Sequence, residues 1–360
     1  MRTEAIRQTA VGAEPALDLA SFRTPIPARS IGQIASSFGG LLATMAAMYW
    51  VAGVGQADPL GAWWAWIALA ALAVPAAGFT VRIFIIQHDC GHGAFFGSRR
   101  ANAWLGSLCG LFTLTPFQMW RRQHANHHAS WNDLDRRDSG LDIYSSCLTV
   151  AEYRQLGRRA RRHHRLLRHP LVAHLLLPPI VFILLYRLPF DAPRDWRHER
   201  RAVHLTNAAV VAAFVGLGLA FGFGRVLAVH LPIMAVAAIV GVWLFSVQHR
   251  FEGTLWMRHE RWRFRSAALE GSSYLRLTPV LRWFTGNIGF HHIHHLNPRI
   301  ANYRLRACHE ANPVLQQVPT LSLRDGLRGW RYALWDEGAG RMVSFADAER
   351  MDLQASPAGP

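Results

Sequence analysis

The sequence predicts an all-α polytopic membrane protein, with about four transmembrane helices, re-entrant or interfacial helices between them and a cytosolic helical cap. Three observations carry this expectation. Of the 360 residues, 51% are apolar and only 17% are charged, where a soluble domain carries about a quarter charged. The apolar residues fall into blocks, several long enough for the roughly 20 helical residues that cross a bilayer core. The net charge of +16 comes from arginine alone, with no lysine in the chain. The arginines concentrate at the flanks of the blocks, as they do in cytoplasmic loops beside anionic headgroups. That placement argues for a membrane and against nucleic acid as the partner of the positive charge.

The blocks follow in order. Residues 31–54 and 60–86 form the first two, joined by GQADP, which carries no arginine. A third, 101–117, is short and interrupted by Asn102, Gly106, Gly110 and Pro116. A fourth, 171–190, contains Pro178 and Pro179. The fifth and sixth, 203–223 and 225–247, are joined by GFGR. Arginine is dense at 99–100, 121–122, 136–137, 154–168, 194–201 and 250–265. The third and fourth blocks therefore have positive charge on both sides, which predicts that they dip into the membrane or lie on it. The first, second, fifth and sixth cross, which leaves both termini cytoplasmic. The expected division is a cytosolic N-terminal segment (1–30), a membrane-plus-cap domain (31–320) and a polar C-terminal tail (321–360), with the last ten residues disordered. Residues 1–30 lack the apolar core of a signal peptide and carry Glu4, Glu14 and Asp18. Cys90, Cys109, Cys147 and Cys308 form no CxxC pair and suggest no disulfide framework.

The chemistry lies in the histidines. Three windows, HDCGH (88–92), HANHH (124–128) and HHIHH (291–295), hold nine of the nineteen; even spreading would put about one into those fifteen positions. His88 and His92 are spaced i, i+4. His124, His127 and His128 are spaced i, i+3, i+4, and His291, His294 and His295 repeat that pattern. On a helix these offsets share a face, so each window presents several imidazoles in one direction. Two crossings separate the second window from the third, which returns it to the same side of the membrane. Lone histidines are ordinarily satisfied polar groups or surface residues, and His174, His204, His230 and His309 fall there. His163 and His164, in RRARRHHRLLRH, read as part of a basic headgroup-facing stretch.

Imidazole suits zinc, iron, copper and nickel alike. Eight or more histidines are too many for one ion, so two are implied, and redox chemistry favours iron because zinc cannot change oxidation state.

These residues resemble the three boxes, HxxxH, HxxHH and HxxHH, of the membrane fatty acid desaturase superfamily. The surroundings IIQHDCGHGAFF, LTPFQMWRRQHANHHA, LDRRDSGLDIYSSCLTVAEY, VQHRFEGTLW and LRWFTGNIGFHHIHHLNPRIANYRL are most similar to bacterial acyl-lipid desaturases, over about residues 80–310. Within these stretches Asp138, Tyr144 and Ser145 depart from the usual pattern. The resemblance implies a two-iron centre on the cytosolic face of a bacterial inner membrane. It further implies that O2 and two electrons serve to remove two hydrogens from an unactivated CH2–CH2 of an acyl chain. It adds His249, in VQHRFE, as a ninth ligand beside His88, His92, His124, His127, His128, His291, His294 and His295, and leaves out His292.

Around the boxes, Asp89 and Asp135 are candidates for orienting imidazole N–H groups, Asp135 being equally able to pair with Arg136 or Arg137. Met119, Trp120, Trp283 and Phe284 are candidates to line an acyl tunnel, or else are interface aromatics. With no CxxCH motif, the electrons need an external donor. A basic surface suits an acidic one such as a ferredoxin. A hydroxylase on the same scaffold and a histidine-rich metal transporter or sensor are the competing readings.

Overall fold

The computed structural model describes residues 17–57, 62–137 and 146–355. Four long apolar helices dominate it: α1 (Pro27–Ala57), α2 (Ala62–His92), α8 (Arg197–Phe221) and α9 (Phe223–His249). Each contains a stretch long and apolar enough to cross a bilayer. Pro27 opens α1, where its missing N–H costs no helical hydrogen bond. Pro75 lies inside α2 and Pro232 inside α9. Both are tolerated because neighbouring helices support the helix at the break. Gly222 adopts φ +88° between α8 and α9, a conformation open to glycine, and turns the chain within one residue.

Between these helices the expected dips take concrete form. Helices α3 (Arg99–Phe112) and α4 (Phe117–Ser130) are separated by a corner at Leu114, whose φ is +51°. After α5 (Val150–Gln155), the arginine-rich α6 (Arg158–Leu167) runs into a π-helical turn (Val172–Leu176) and α7 (Leu177–Ile183). The chain bends by 52° between α6 and the segment that follows. Pro178 and Pro179, which have no N–H to give a carbonyl one turn back, fall where the π-helical turn passes into α7. If the bent pair is counted as one span the number of crossings rises from four to five.

The rest forms a cap from α10 (Phe264–Glu270), α11 (Pro279–Phe284), α12 (His291–Leu296), α13 (Asn302–Ala311), α14 (Leu323–Arg328) and α15 (Phe345–Ala355). Short strands stitch it together. β1 (Leu148–Thr149) pairs in parallel with β4 (Leu334–Asp336), which pairs with β5 (Arg341–Val343); β2 (Tyr274–Leu275) pairs with β3 (Thr320–Leu321). The division drawn at 320/321 therefore cuts β3, and the polar tail is woven into the cap. Met351–Ala355, expected to be disordered, complete α15; residues 356–360 lie outside the described residues.

Contacts fix which helix ends meet. Ser30 Oγ, near the start of α1, donates to the Phe95 carbonyl just after α2 at 2.8 Å. Arg122 of α4 pairs with Glu199 at the start of α8 at 3.0 Å. The starts of α1 and α8 thus gather with the ends of α2 and α9, and that end of the bundle carries the histidines.

Candidate metal centre

Each histidine window is delivered by a helix. His88 and His92 occupy the last turns of α2, His124, His127 and His128 lie on α4, His249 ends α9, and His291, His294 and His295 lie on α12. The apolar block of α2 stops near Ile86, yet the helix runs on to His92. The extra turns carry the first pair out of the bilayer core and onto a common face.

The nine imidazoles form two sets. In the first, the Nε2 atoms of His88 and His294 are 3.0 Å apart, those of His294 and His128 2.9 Å, and those of His128 and His124 3.2 Å. The ring of His92 lies 4.8 Å from His128 and 4.9 Å from His88, and its buried Nε2 has no hydrogen-bond partner among the described residues. In the second, His249 Nε2 is approached by Nε2 of His291 at 2.9 Å, of His127 at 3.2 Å and of His295 at 3.3 Å. The sets touch where the rings of His128 and His295 stack at 4.3 Å.

Hydrogen bonding does not account for this packing. A neutral imidazole nitrogen offers one proton or one lone pair, so His249 Nε2 cannot satisfy three facing nitrogens. A cation can. Two nitrogens each about 2.1 Å from a shared ion, at a right angle, stand about 3.0 Å apart. Within the groups His88–His92–His124–His128–His294 and His127–His249–His295 the ligand nitrogens all lie within 4.8 Å of one another, and His291 joins the second through His249. Burial, then neighbouring imidazoles, hold His124, His128, His294 and His295 well below the usual imidazole range. Burial and His88 bring His127 to about 3. Neutral imidazole is the metal-binding form.

The surrounding residues sort clearly. Asp89 is buried; its Oδ1 is 3.3 Å from His88 Nδ1, and its Oδ2 accepts from the backbone and side-chain N–H groups of Asn302 at 2.7 and 2.8 Å. It therefore links the His88 ring to Asn302 of α13. Asp135 does not reach the imidazoles. Its carboxylate accepts the backbone N–H of His259 at 2.9 Å and the Arg258 guanidinium at 2.8 Å on the surface, so it pairs with no imidazole of the two sets and with neither Arg136 nor Arg137. Asp138, Tyr144 and Ser145 lie outside the described residues. His292 turns away towards the rings of Tyr274 and His309. His164 packs on Tyr153 and Phe345, and His174 stacks on Trp330, neither near the sets.

Two contributors went unread in the sequence. Trp131 lies over His249 at 3.9 Å and beside His127 at 5.0 Å, with its indole N–H donating to the Gly271 carbonyl at 3.0 Å. Its spacing of i+4 from His127 was the available signal. Asn302 fixes Asp89 across 213 residues of sequence, and no local pattern announces that.

A cavity of about 510 Å³ has His88, His124, His127 and His291 in its wall. Its remaining walls are mainly apolar side chains of α2, α7 and α9, a size and character that suit a small organic ligand. Of the four expected tunnel residues only Trp120 lines it, stacked on His124 at 4.7 Å. Met119 turns to the far side of α4, against Ala192 and Val203. Trp283 and Phe284 sit on the opposite flank of α2 around Phe79, where Arg82 donates to the Trp283 carbonyl and packs over its ring. Their short helix α11 docks there, which turns both side chains away from the cavity.

Comparison with known proteins agrees with this arrangement. The family model for fatty acid desaturases matches residues 61–322. The chain is 42% identical to a fatty acid desaturase of Bacillus subtilis over 290 residues, which is 81% of each protein. It is 33% identical to a probable fatty acid desaturase of Sorghum bicolor, covering 64% of this chain and 60% of that one. It is 30% identical to an sn-1 acyl-lipid omega-3 desaturase (ferredoxin) of Synechocystis, over 65% of this chain and 64% of that one. These relatives support an enzyme and give no support to a metal transporter or sensor. Four apolar helices, histidines gathered at one end of them and a match spanning most of its length thus place the chain in the fatty acid desaturase family.

Proposed function

We propose that the protein is an O2-dependent desaturase that introduces a double bond into the acyl chain of a fatty acid or membrane lipid, with two iron ions held by the two histidine sets. The observation that carries this reading is that imidazoles of both sets, His88, His124, His127 and His291, line a mainly apolar cavity of about 510 Å³. His88, His92, His124, His128 and His294 hold one ion; His127, His249, His291 and His295 hold the other. Bound there, the irons supply the oxidising power that unactivated C–H bonds require, using O2. The overall reaction consumes O2, two electrons and two protons, removes one hydrogen from each of two adjacent carbons, and releases two waters.

The chain's own residues prepare that chemistry. Asp89, itself held by Asn302, fixes the ring orientation of His88. Trp120 and Trp131 cover His124 and His249 and shield them from water. The cavity walls align the acyl chain so that one CH2–CH2 pair faces the imidazoles. The electrons come from an external donor. The name of the Synechocystis relative specifies ferredoxin, and the arginine-rich face suits such an acidic carrier by steering. The same relative's name supports an acyl-lipid substrate. The sets and both termini lie on the cytoplasmic side of the membrane by the arginine bias.

Expression in a host lacking the activity, followed by fatty-acid profiling, tests the reading. A new double bond is expected, lost in His127→Ala, with two irons per chain in purified protein. A new hydroxyl in place of the double bond, or two zinc ions and no iron, overturns it.

A further inference from the structure

We propose that Gly241 of α9 sets how much acyl chain fits beyond the reacting carbons and so determines substrate length, an inference that rests on the desaturase reading above. The observation is a stripe on one helix. Met234, Ala238, Gly241, Phe245 and Gln248 all line the cavity, and their spacings of three and four place them on a single face of α9. The stripe begins at the metal centre, where the Phe245 ring lies 5.2 Å from both His127 and His249.

From there it runs away from the imidazoles. At about 1.5 Å per residue, Gly241 stands about 12 Å before His249 along the axis. Thr80, which also lines the cavity, stands about 12 Å before His88 on α2, so both walls reach the same depth. Met234 lies about 10 Å further on. Gly241 is the one position on this stripe with no side chain. A Cβ built there meets nothing within 4 Å, so its missing side chain leaves open space at that depth. No neighbouring atom and no backbone strain requires glycine there. Each added side-chain atom would project further into that space and narrow the way from the part beside the imidazoles to the part beyond.

Such a block excludes chains that must pass it and spares chains that end above it. It therefore changes relative, not overall, turnover. The test compares wild type with Gly241→Ala, Gly241→Val and Gly241→Leu in the same host, supplied with saturated fatty acids graded from lauric to stearic. Double bonds are quantified for each length, and bound iron is measured in each purified protein. The expected result is a stepwise fall in the ratio of longest-chain to shortest-chain product, reaching about tenfold or more at leucine, with iron content unchanged. Gly216→Leu, on the exposed face of α8 where a Cβ also meets nothing, leaves the ratio unchanged. Should leucine prevent accumulation, the alanine and valine steps carry the comparison. An unchanged ratio in an active enzyme, or an equal loss at every length with iron retained, overturns the role of Gly241 alone. Wild type making no double bond at any length overturns the desaturase reading, and the proposal with it.

Discussion

The histidine sets depend on partners that differ in how far away they lie in sequence. The spacings i, i+3 and i+4 make the three windows legible, because an α-helix converts them directly into shared faces. His249 has no such pattern around it; only the resemblance singled it out, and the fold places it at the centre of three other imidazoles. Asn302 is less visible still, since its bond to Asp89 exists only once α13 has docked beside α2. That chain of contacts makes a prediction. Asp89→Asn should lower metal affinity about 10- to 100-fold, read by competition with a chelator, and Asn302→Ala should fall in the same direction. The third window allows a sharper contrast. His294 approaches two imidazoles within 3.0 Å, whereas His292, two residues away, faces Tyr274 and His309. His294→Ala should lose iron, while His292→Ala should retain both ions; equal loss from the two variants would count against the assignment of ligands.

At the scale of elements, the long helices were readable from apolar blocks, but their ends were not. α2 and α9 extend past the apolar residues because polar contacts at the gathered end replace the bilayer as their environment. The cap was the least legible part. Its strands are two or three residues long, too short for any alternating pattern, and they join segments almost 190 residues apart. Helix α5 shows what holds it. Thr149 and Glu152 form a reciprocal cap, and Glu152 also pairs with Arg137 at 2.5 Å. Burial pushes the Glu152 carboxyl up, but the Arg137 and Thr149 hydrogen bonds outweigh it and hold the group at about 2, against an ordinary 4.5. A value depressed by folding adds stability that is complete above pH 4.5 and is lost as the pH falls towards 2. Glu152→Gln should therefore unfold at a lower temperature than wild type at pH 7, and the gap should narrow progressively below pH 4.5. A gap independent of pH would show that the carboxylate is not what stabilises α5.

For the whole molecule, the decisive property is parity. Three windows far apart in sequence can share ions only if the chain crosses the membrane an even number of times between the second and the third. The α8–α9 hairpin supplies two crossings, and the 52° bend after α6 lets the intervening apolar segment enter without adding a third. A fifth full span would put α12 on the face opposite α4, which the 2.9 Å approach of His294 to His128 forbids. With α8 and α9 both crossing, that contact leaves the bent pair entering and leaving by one face; which face is cytoplasmic follows from arginine bias. Cysteine labelling addresses that directly, because all four native cysteines are buried. In spheroplasts treated with a membrane-impermeant maleimide, Gly224→Cys, exposed in the first turn of α9 beside its joint with α8, should react at once. Arg159→Cys, on the exposed face of α6, should react only after the membrane is opened. The reverse pattern would invert the molecule and direct the electron donor to the wrong compartment. Labelling of both sites in intact spheroplasts would mean that α8 and α9 do not cross, and would remove the two crossings on which this placement of the second and third windows rests.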